Sequence, residues 1–212
     1  MFYWLTILSD GGDFFNLFRY ITFRAGGAFI TSLIFGFVFG KPLINLLRRR
    51  QGRGQPIRSD GPEGHFSKIG TPTMGGALIL GALVVSTLLW ARLDNMHIWV
   101  VLFVTIGFGA IGFADDYAKV SKQTVAGVSG RLRLGLGFVI ALVASIAAAQ
   151  LHPDGLNTQV AVPIMIHALV PFGLFSFPFS LIVIAGTPNS VNLTASLDGS
   201  AIIPVMIPPP PT

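Results

Sequence analysis

Two adjacent carboxylates, Asp115 and Asp116, stand directly behind an apolar run at 99–113. The 212 residues include only nine acidic ones, so a side-by-side pair at a hydrophobic boundary requires an explanation. Ionisable groups at membrane depth are costly and usually functional, and two like charges in contact favour a cation between them. Mg²⁺ prefers carboxylate oxygens and is usually shared with a substrate phosphate. The pair alone therefore indicates either a Mg²⁺ and phosphate site or the solvated end of a helix.

A second group of candidates lies in the stretch GPEGHFSKIGTPTMGG at 61–76. Its density of Gly and Pro predicts an extended, turn-rich loop that enters the next apolar segment. Lys68 and the hydroxyl of Thr73 could contact phosphate oxygens, whereas Thr73 could instead be a helix N-cap. His65 is either a proton carrier or an ordinary loop residue, and its spacing favours the loop residue.

A third group lies in GTPNSVNLTASLDG at 186–199, which contains Asp198 next to its end. Asn189 and Asn192 are three positions apart and share one face if the stretch is helical. Their amides could bind a sugar, a base or a metal-bound water. Helix capping is the alternative, and it explains the two asparagines better when they are considered alone.

The composition identifies the kind of protein that positions these groups. The chain is 52% hydrophobic and 11% charged, whereas soluble domains average about 25% charged residues. This balance is typical of a multi-spanning membrane protein. The absence of cysteine excludes disulfides, thiol chemistry and cysteine-based metal sites. The start, MFYWLTILSD, has no basic region or cleavage site, so residues 1–24 are predicted to be an interfacial segment and not a signal peptide.

An all-α, polytopic membrane helix bundle is therefore predicted, since crossing a bilayer takes roughly 20 apolar residues. Five segments meet or approach this length, at about 25–47, 73–90, 97–113, 134–151 and 170–185. Pro171 and Pro178 predict bends in the fifth.

Lys and Arg concentrate in the loops after the first and third segments, and the other loops carry at most Arg92. The positive-inside rule places the two basic loops in the cytoplasm and the N-terminus in the periplasm, although Arg19 and Arg24 argue mildly against this. The polar segments 48–72, 114–133 and 186–200 then share the cytoplasmic side. The candidate residues fall in them, apart from Thr73, which directly follows the first segment.

The motifs GPEGHFSKIGTPTMGG, GFADDYAKV and NSVNLTASLDG, in this order, resemble the phospho-N-acetylmuramoyl-pentapeptide-transferase family. This family is a bacterial branch of the polyprenyl-phosphate N-acetylhexosamine-1-phosphate transferases. The resemblance covers residues 20–198; its first motif is specific to the branch, whereas the aspartate pair is shared more widely. It implies an enzyme of the bacterial cytoplasmic (inner) membrane with about ten helices, of which about five lie in this chain.

The resemblance also implies the reaction, the partners and the residues of the site. Phospho-MurNAc-pentapeptide would pass from UDP-MurNAc-pentapeptide to undecaprenyl phosphate, giving lipid I and UMP, with Mg²⁺. The enzyme would lie in the lipid bilayer, with a possible homodimer and no nucleic acid as partner. The implied catalytic residues are Asp115 and Asp116, which with Asp198 are also the implied metal ligands. The implied substrate-binding residues are Lys68, Thr73, Lys119, Asn192, Asp198 and His65.

The chain departs from the family pattern in several places. Ala195 and Ser196 replace the first aspartate and glycine of the family's NLTDGLDG motif, Pro188 stands where serine is usual, and Ala126 replaces a basic residue. The end, PPPPT, has no counterpart in the family, and the later spans with their aspartate and histidines are missing. We therefore expect residues 1–212 to be a single truncated membrane domain that is inactive alone. The alternative is a non-catalytic, degenerate membrane paralogue or a binding or assembly protein.

Overall fold

Five α-helices make up most of the computed structural model, which describes residues 1–51, 73–124, 127–151, 159–161, 169–171 and 173–194. The helices are α1 (Ile21–Gln51), α2 (Gly76–Trp90), α3 (Met96–Lys122), α4 (Gly130–Leu151) and α5 (Ser176–Thr194). Short 3₁₀ helices occupy Phe2–Leu8, Phe14–Arg19 and Gly173–Phe175. The chain forms two compact units, Met1–Arg133 and Leu134–Thr212.

The helices have the length and polarity that a membrane requires. Within the described ranges, α1, α3 and α4 are long and apolar enough to cross a bilayer, and α2 is a shorter apolar helix of 15 residues. Large apolar side chains of α1 are freely exposed, for example Phe29 at 68% and Phe37 at 77%. Such surface is unfavourable in water and natural in lipid. The prediction of a polytopic membrane helix bundle is therefore confirmed.

In the first unit α1 and α3 are longer than the hydropathy of the sequence predicts, whereas α2 begins at Gly76 and not at about 73. α1 begins at Ile21, so the segment 1–24 consists of two 3₁₀ helices and the first turn of α1; its interfacial position stays a prediction. α3 continues to Lys122 and carries Asp115 and Asp116 inside the helix. The pair therefore lies in the last turns of α3, and the polar residues after the third apolar segment are helical as far as Lys122. Hydropathy detects only the apolar part of a helix, and the polar turns beyond it still form backbone hydrogen bonds.

The second unit corrects the fifth predicted span. Residues Gln159–Ala161 (β1) and Leu169–Pro171 (β2) pair antiparallel, with Val160 opposite Val170. The segment at 170–185 thus begins in a strand, and α5 starts only at Ser176. Pro171 belongs to β2, and Pro178 lies in the first turn of α5, where its missing N–H removes no helical hydrogen bond. α5 continues through Pro188 to Thr194, so residues 186–194 of the third polar segment are helical.

Trp90, the last residue of α2, connects α1, α2 and the N-terminal segment. Its indole N–H donates to Thr31 Oγ1 at 2.9 Å, and its ring stacks on Phe18 with centroids 5.9 Å apart. Gly27 faces the Trp90 ring, so that an added Cβ would lie 2.5 Å from ring carbons. One turn further along α1, the hydroxyls of Ser32 and Ser86 are 2.8 Å apart. These contacts fix how α1 and α2 pack, and thereby where their other ends meet α3.

Candidate functional site

Three charged side chains lie together on one face of α3. Lys119 follows Asp115 by four residues and Asp116 by three, the spacings that bring side chains together on a helix. Its Nζ lies 2.6 Å from Asp115 Oδ2 and 3.8 Å from Asp116 Oδ1. The cation therefore offsets the repulsion between the adjacent carboxylates.

Asp115 is the buried member of the pair, with its side chain 9% exposed. Its Oδ1 accepts a hydrogen bond from the backbone N–H of Val128 at 2.8 Å, and Arg133 Nη1 lies 3.9 Å from its Oδ2. At Gly127 a Cβ would collide with Asp115 Oδ1 and lie 2.9 Å from Lys119 Cε. Asp115 thus connects α3 to the segment that leads into α4, and both its oxygens are occupied by donors.

Asp116 is the more accessible carboxylate, with its side chain 32% exposed. The hydroxyl of Thr73 donates to its Oδ2 at 3.0 Å. The alternative interpretation of Thr73 as a helix N-cap is wrong: Gly75 is the N-cap of α2, and no side chain caps this end. The Thr73 hydroxyl is available to Asp116 because the backbone turns sharply at Met74, whose φ is 74°.

Gln51, the last residue of α1, holds Thr73 from the other side. Its Nε2 donates to the Thr73 carbonyl oxygen at 3.1 Å, and the Thr73 N–H donates to its Oε1 at 2.9 Å. The end of α1, the residues just before α2 and the last turns of α3 therefore meet at one place, together with Val128 before α4 and Arg133 in its first turn. All of these residues belong to the first unit, Met1–Arg133.

The structure brings together four of the residues that the sequence singled out: Thr73, Asp115, Asp116 and Lys119. Lys68, His65 and Asp198 lie outside the described residues. Asn192 is in α5, and the structure describes its backbone only. Asn189 is helical as well, and its amide Nδ2 donates to the carbonyl oxygen of Ala185 at 2.7 Å, within its own helix.

Sequence reasoning missed Gln51, Gly127 and the Val128 N–H, and counted Arg133 only as part of a basic loop. No motif marks Gln51, because it follows Arg48, Arg49 and Arg50 and looks like one more solvated residue. The three arginines are indeed exposed, whereas Gln51 is buried. A glycine in a loop, such as Gly127, is a weak signal on its own, and no residue type indicates that the Val128 N–H donates to Asp115.

The carboxylates fit a divalent cation only as part of its ligand set. Within the described ranges, no group of three His, Asp or Glu side chains could enclose a metal ion. Mg²⁺ is usually held by one or two carboxylates, with waters and substrate phosphate oxygens completing the shell. Asp116 Oδ1 suits this arrangement, because the nearest described cation, Lys119 Nζ, is 3.8 Å away. Asp115 suits it less, because donors occupy both its oxygens.

The chain is similar in sequence to known proteins over most of its length. Residues 98–208 match the model of the family described as Glycosyl transferase family 4. A protein of Ruegeria sp. (strain TM1040) named phospho-N-acetylmuramoyl-pentapeptide-transferase is 68% identical over 207 residues. Proteins of the same name from Ruegeria pomeroyi and Dinoroseobacter shibae are 65% and 64% identical. Each alignment covers 98% of this chain and 58% of the relative, so the chain spans less than two thirds of their length.

Proposed function

Because the chain belongs to glycosyl transferase family 4, we propose that it is part of an enzyme that transfers a phosphorylated sugar to a membrane lipid phosphate. The relatives' name indicates the transferred group, phospho-MurNAc-pentapeptide. Together with the motif resemblance it supports UDP-MurNAc-pentapeptide as donor and undecaprenyl phosphate as acceptor. The products would be lipid I and UMP, in peptidoglycan synthesis.

One observation carries this proposal: a carboxylate pair, a lysine and a threonine hydroxyl converge at the end of a membrane helix. In the reaction an oxygen of the lipid phosphate attacks the sugar-bearing phosphorus of the donor. A new phosphoanhydride bond forms, the original one breaks, and UMP leaves. The reactants are all anionic, so their approach requires cations and fixed hydrogen-bond donors.

The residues of the cluster have separable tasks in such a reaction. Lys119 is placed to neutralise phosphate oxygens that approach the pair, and Thr73 fixes the orientation of the Asp116 carboxylate. Asp116, with Asp198 as a further ligand, would hold Mg²⁺; Asp115 would be a ligand only if its donors moved away. When bound, the ion would supply positive charge at the phosphates. Lys68, His65 and Asn192 are proposed substrate contacts, because the motifs that contain them resemble those of the family.

The position of the cluster supports a proposed orientation. The cluster lies at the end of α1 that carries three arginines and at the end of α3 that carries Lys119 and Lys122. The positive-inside rule assigns such ends to the cytoplasm, where a nucleotide-linked substrate is available. We therefore place the site on the cytoplasmic face of the bacterial inner membrane and the N-terminus in the periplasm. A homodimer stays a proposal from the family resemblance.

The proposal is tested by product formation in membranes. We would measure lipid I and UMP formed from the two substrates with Mg²⁺, for the chain alone and for a hybrid continued by the C-terminal remainder of the Ruegeria relative. We expect the chain alone to be inactive and the hybrid to form lipid I. Asp116→Asn should abolish formation in the hybrid. Asp94→Asn is the matched control, since Asp94 is an exposed carboxylate in the loop between α2 and α3.

Two results would contradict the proposal. Equal rates in the hybrid and its Asp116→Asn variant would exclude the role of the cluster. A folded hybrid that forms no lipid I would favour a non-catalytic protein, and would point to Ala195 and Ser196 as the changes responsible. Activity of the chain alone would support the transferase and contradict only the expectation that it is inactive.

A further inference from the structure

The side chain of Gln51 is buried at a helix end where its neighbours are exposed. Gln51 has a relative exposure of 8%, whereas Arg48, Arg49 and Arg50 before it are exposed. A buried amide needs partners for both its oxygen and its nitrogen, because an unpaired polar group in a dry environment is costly. Both partners here are backbone groups of Thr73. The Gln51 amide therefore donates one hydrogen bond to the Thr73 backbone and accepts one from it, as the backbone of a neighbouring β-strand would.

The backbone beside Thr73 needs such support. Met74 has φ 74°, in the left-handed region that non-glycine residues rarely occupy. Backbone of this kind persists only where surrounding contacts hold it, and it concentrates at functional sites. Met74 is itself buried, with a relative exposure of 8%. The Gln51 amide on one side and the buried Met74 side chain on the other fix the direction of the Thr73 hydroxyl.

The Thr73 hydroxyl transmits this arrangement to Asp116. It donates to Asp116 Oδ2 at 3.0 Å and leaves Oδ1 on the side of Lys119. We propose that Gln51 is a positioning residue, which holds Thr73 so that the Asp116 carboxylate presents one fixed oxygen to the phosphates and their cation. The catalytic consequence rests on the proposed function. The positioning itself does not, because it concerns contacts within residues 51–116.

The positioning can be measured without any activity, since the chain contains no cysteine. Cysteines introduced at Thr73 and Asp116 would report how often these side chains meet, by their rate of crosslinking with a short bifunctional thiol reagent. Gln51→Met removes both hydrogen bonds and retains the length of the side chain. The matched reference is a cysteine pair at Ser32 and Ser86, whose hydroxyls are 2.8 Å apart between α1 and α2.

We expect Gln51→Met to slow crosslinking of the 73–116 pair by about tenfold, the effect of losing one to two hydrogen bonds, and to leave the 32–86 pair unchanged. Equal slowing of both pairs would mean that Gln51 acts only on the packing of α1 and α2, and would overturn the proposal. Unchanged crosslinking of the 73–116 pair would overturn it as well.

The catalytic consequence has its own test in the hybrid enzyme. If Gln51 acts through the Thr73 hydroxyl, Gln51→Met and Thr73→Val should each lower the turnover rate. The turnover rate of the double variant should then be no lower than that of the less active single variant. Additive losses would contradict a shared route. A hybrid without activity would contradict the proposed function, and the crosslinking comparison would still decide the role of Gln51.

Discussion

Asp115 and Asp116 are neighbours in sequence whose carboxylates have different surroundings. Asp115 is buried, and its oxygens accept from Val128 N–H and face Lys119 and Arg133. Asp116 is partly exposed, and Thr73 fixes one of its oxygens. The two aspartates thus have different surroundings: Asp115 joins α3 to the segment before α4, and Asp116 keeps one oxygen outside the Thr73 hydrogen bond, the oxygen that is proposed to hold a cation.

Gly127 gives a direct test of the role of Asp115. Gly127→Ala would add a methyl group where Asp115 Oδ1 stands, so that the carboxylate and the Val128 N–H must separate. Losing a hydrogen bond to a charged group costs about 1.5–3 kcal/mol. We expect a lower apparent unfolding temperature for the purified chain in detergent, measured by differential scanning fluorimetry.

The control for this substitution is Gly130→Ala at the start of α4, where an added Cβ meets no atom within 4 Å. It should leave the unfolding temperature unchanged or raise it. Equal unfolding temperatures for the two variants would show that the contact between Asp115 and the segment before α4 does not stabilise the protein.

At the scale of elements, the last turns of α3 and the packing of α1 on α2 decide where the site residues lie. α3 is helical through Lys122, and this continuity places Asp115, Asp116 and Lys119 on one face. At the other end of α2, Trp90 occupies the space that Gly27 leaves open on α1. At the opposite end of this helix pair lie Gln51, the last residue of α1, and Thr73, three residues before α2. Displacement of Trp90 should therefore disturb the whole unit.

Gly27→Ala tests this packing, because an added methyl group would overlap the Trp90 ring. Overpacking a close contact typically costs about 1–3 kcal/mol. We expect a lower apparent unfolding temperature and a shift in tryptophan fluorescence as the Trp90 environment changes. Gly36→Ala in the same helix meets no atom within 4 Å and is the matched control. Two equally stable variants would contradict a close contact between Gly27 and Trp90.

The sequence predicted five helical segments and the four residues Thr73, Asp115, Asp116 and Lys119, but neither the bounds of the helices nor the residues that hold these four in place. Long apolar runs indicate membrane segments directly, and two adjacent aspartates followed by a lysine indicate unusual electrostatics. The polar ends of α1 and α3 were missed because hydropathy does not detect helical turns that lie outside the apolar region. β1 and β2 were missed because three-residue strands carry no usable periodicity.

Gln51 shows the limit of sequence reasoning most clearly. Its role depends on the backbone of Thr73, which lies 22 residues away in the chain. The residue types at the two positions do not predict this contact. Thr73 could be read as an N-cap or as a phosphate ligand from its spacing, and only the fold shows that it donates to Asp116.

At the scale of the whole molecule, Met1–Arg133 assembles one side of a proposed phosphate and metal site from the ends of α1 and α3 and the starts of α2 and α4. The chain covers 58% of the length of its relatives, and the proposed reaction belongs to a protein of their length. For the unit Met1–Arg133 we predict a specific property: the lipid phosphate and a divalent cation should bind together, through Asp116.

Binding of Mn²⁺ to the purified 212-residue chain, measured by electron paramagnetic resonance with undecaprenyl phosphate in the micelles, tests this property most directly. We expect Mn²⁺ binding that requires the lipid phosphate, is lost in Asp116→Asn, is retained in Asp94→Asn, and weakens by about tenfold in Thr73→Val. Equal Mn²⁺ binding by the unmodified chain and Asp116→Asn would contradict the assignment of this cluster as the metal and phosphate site.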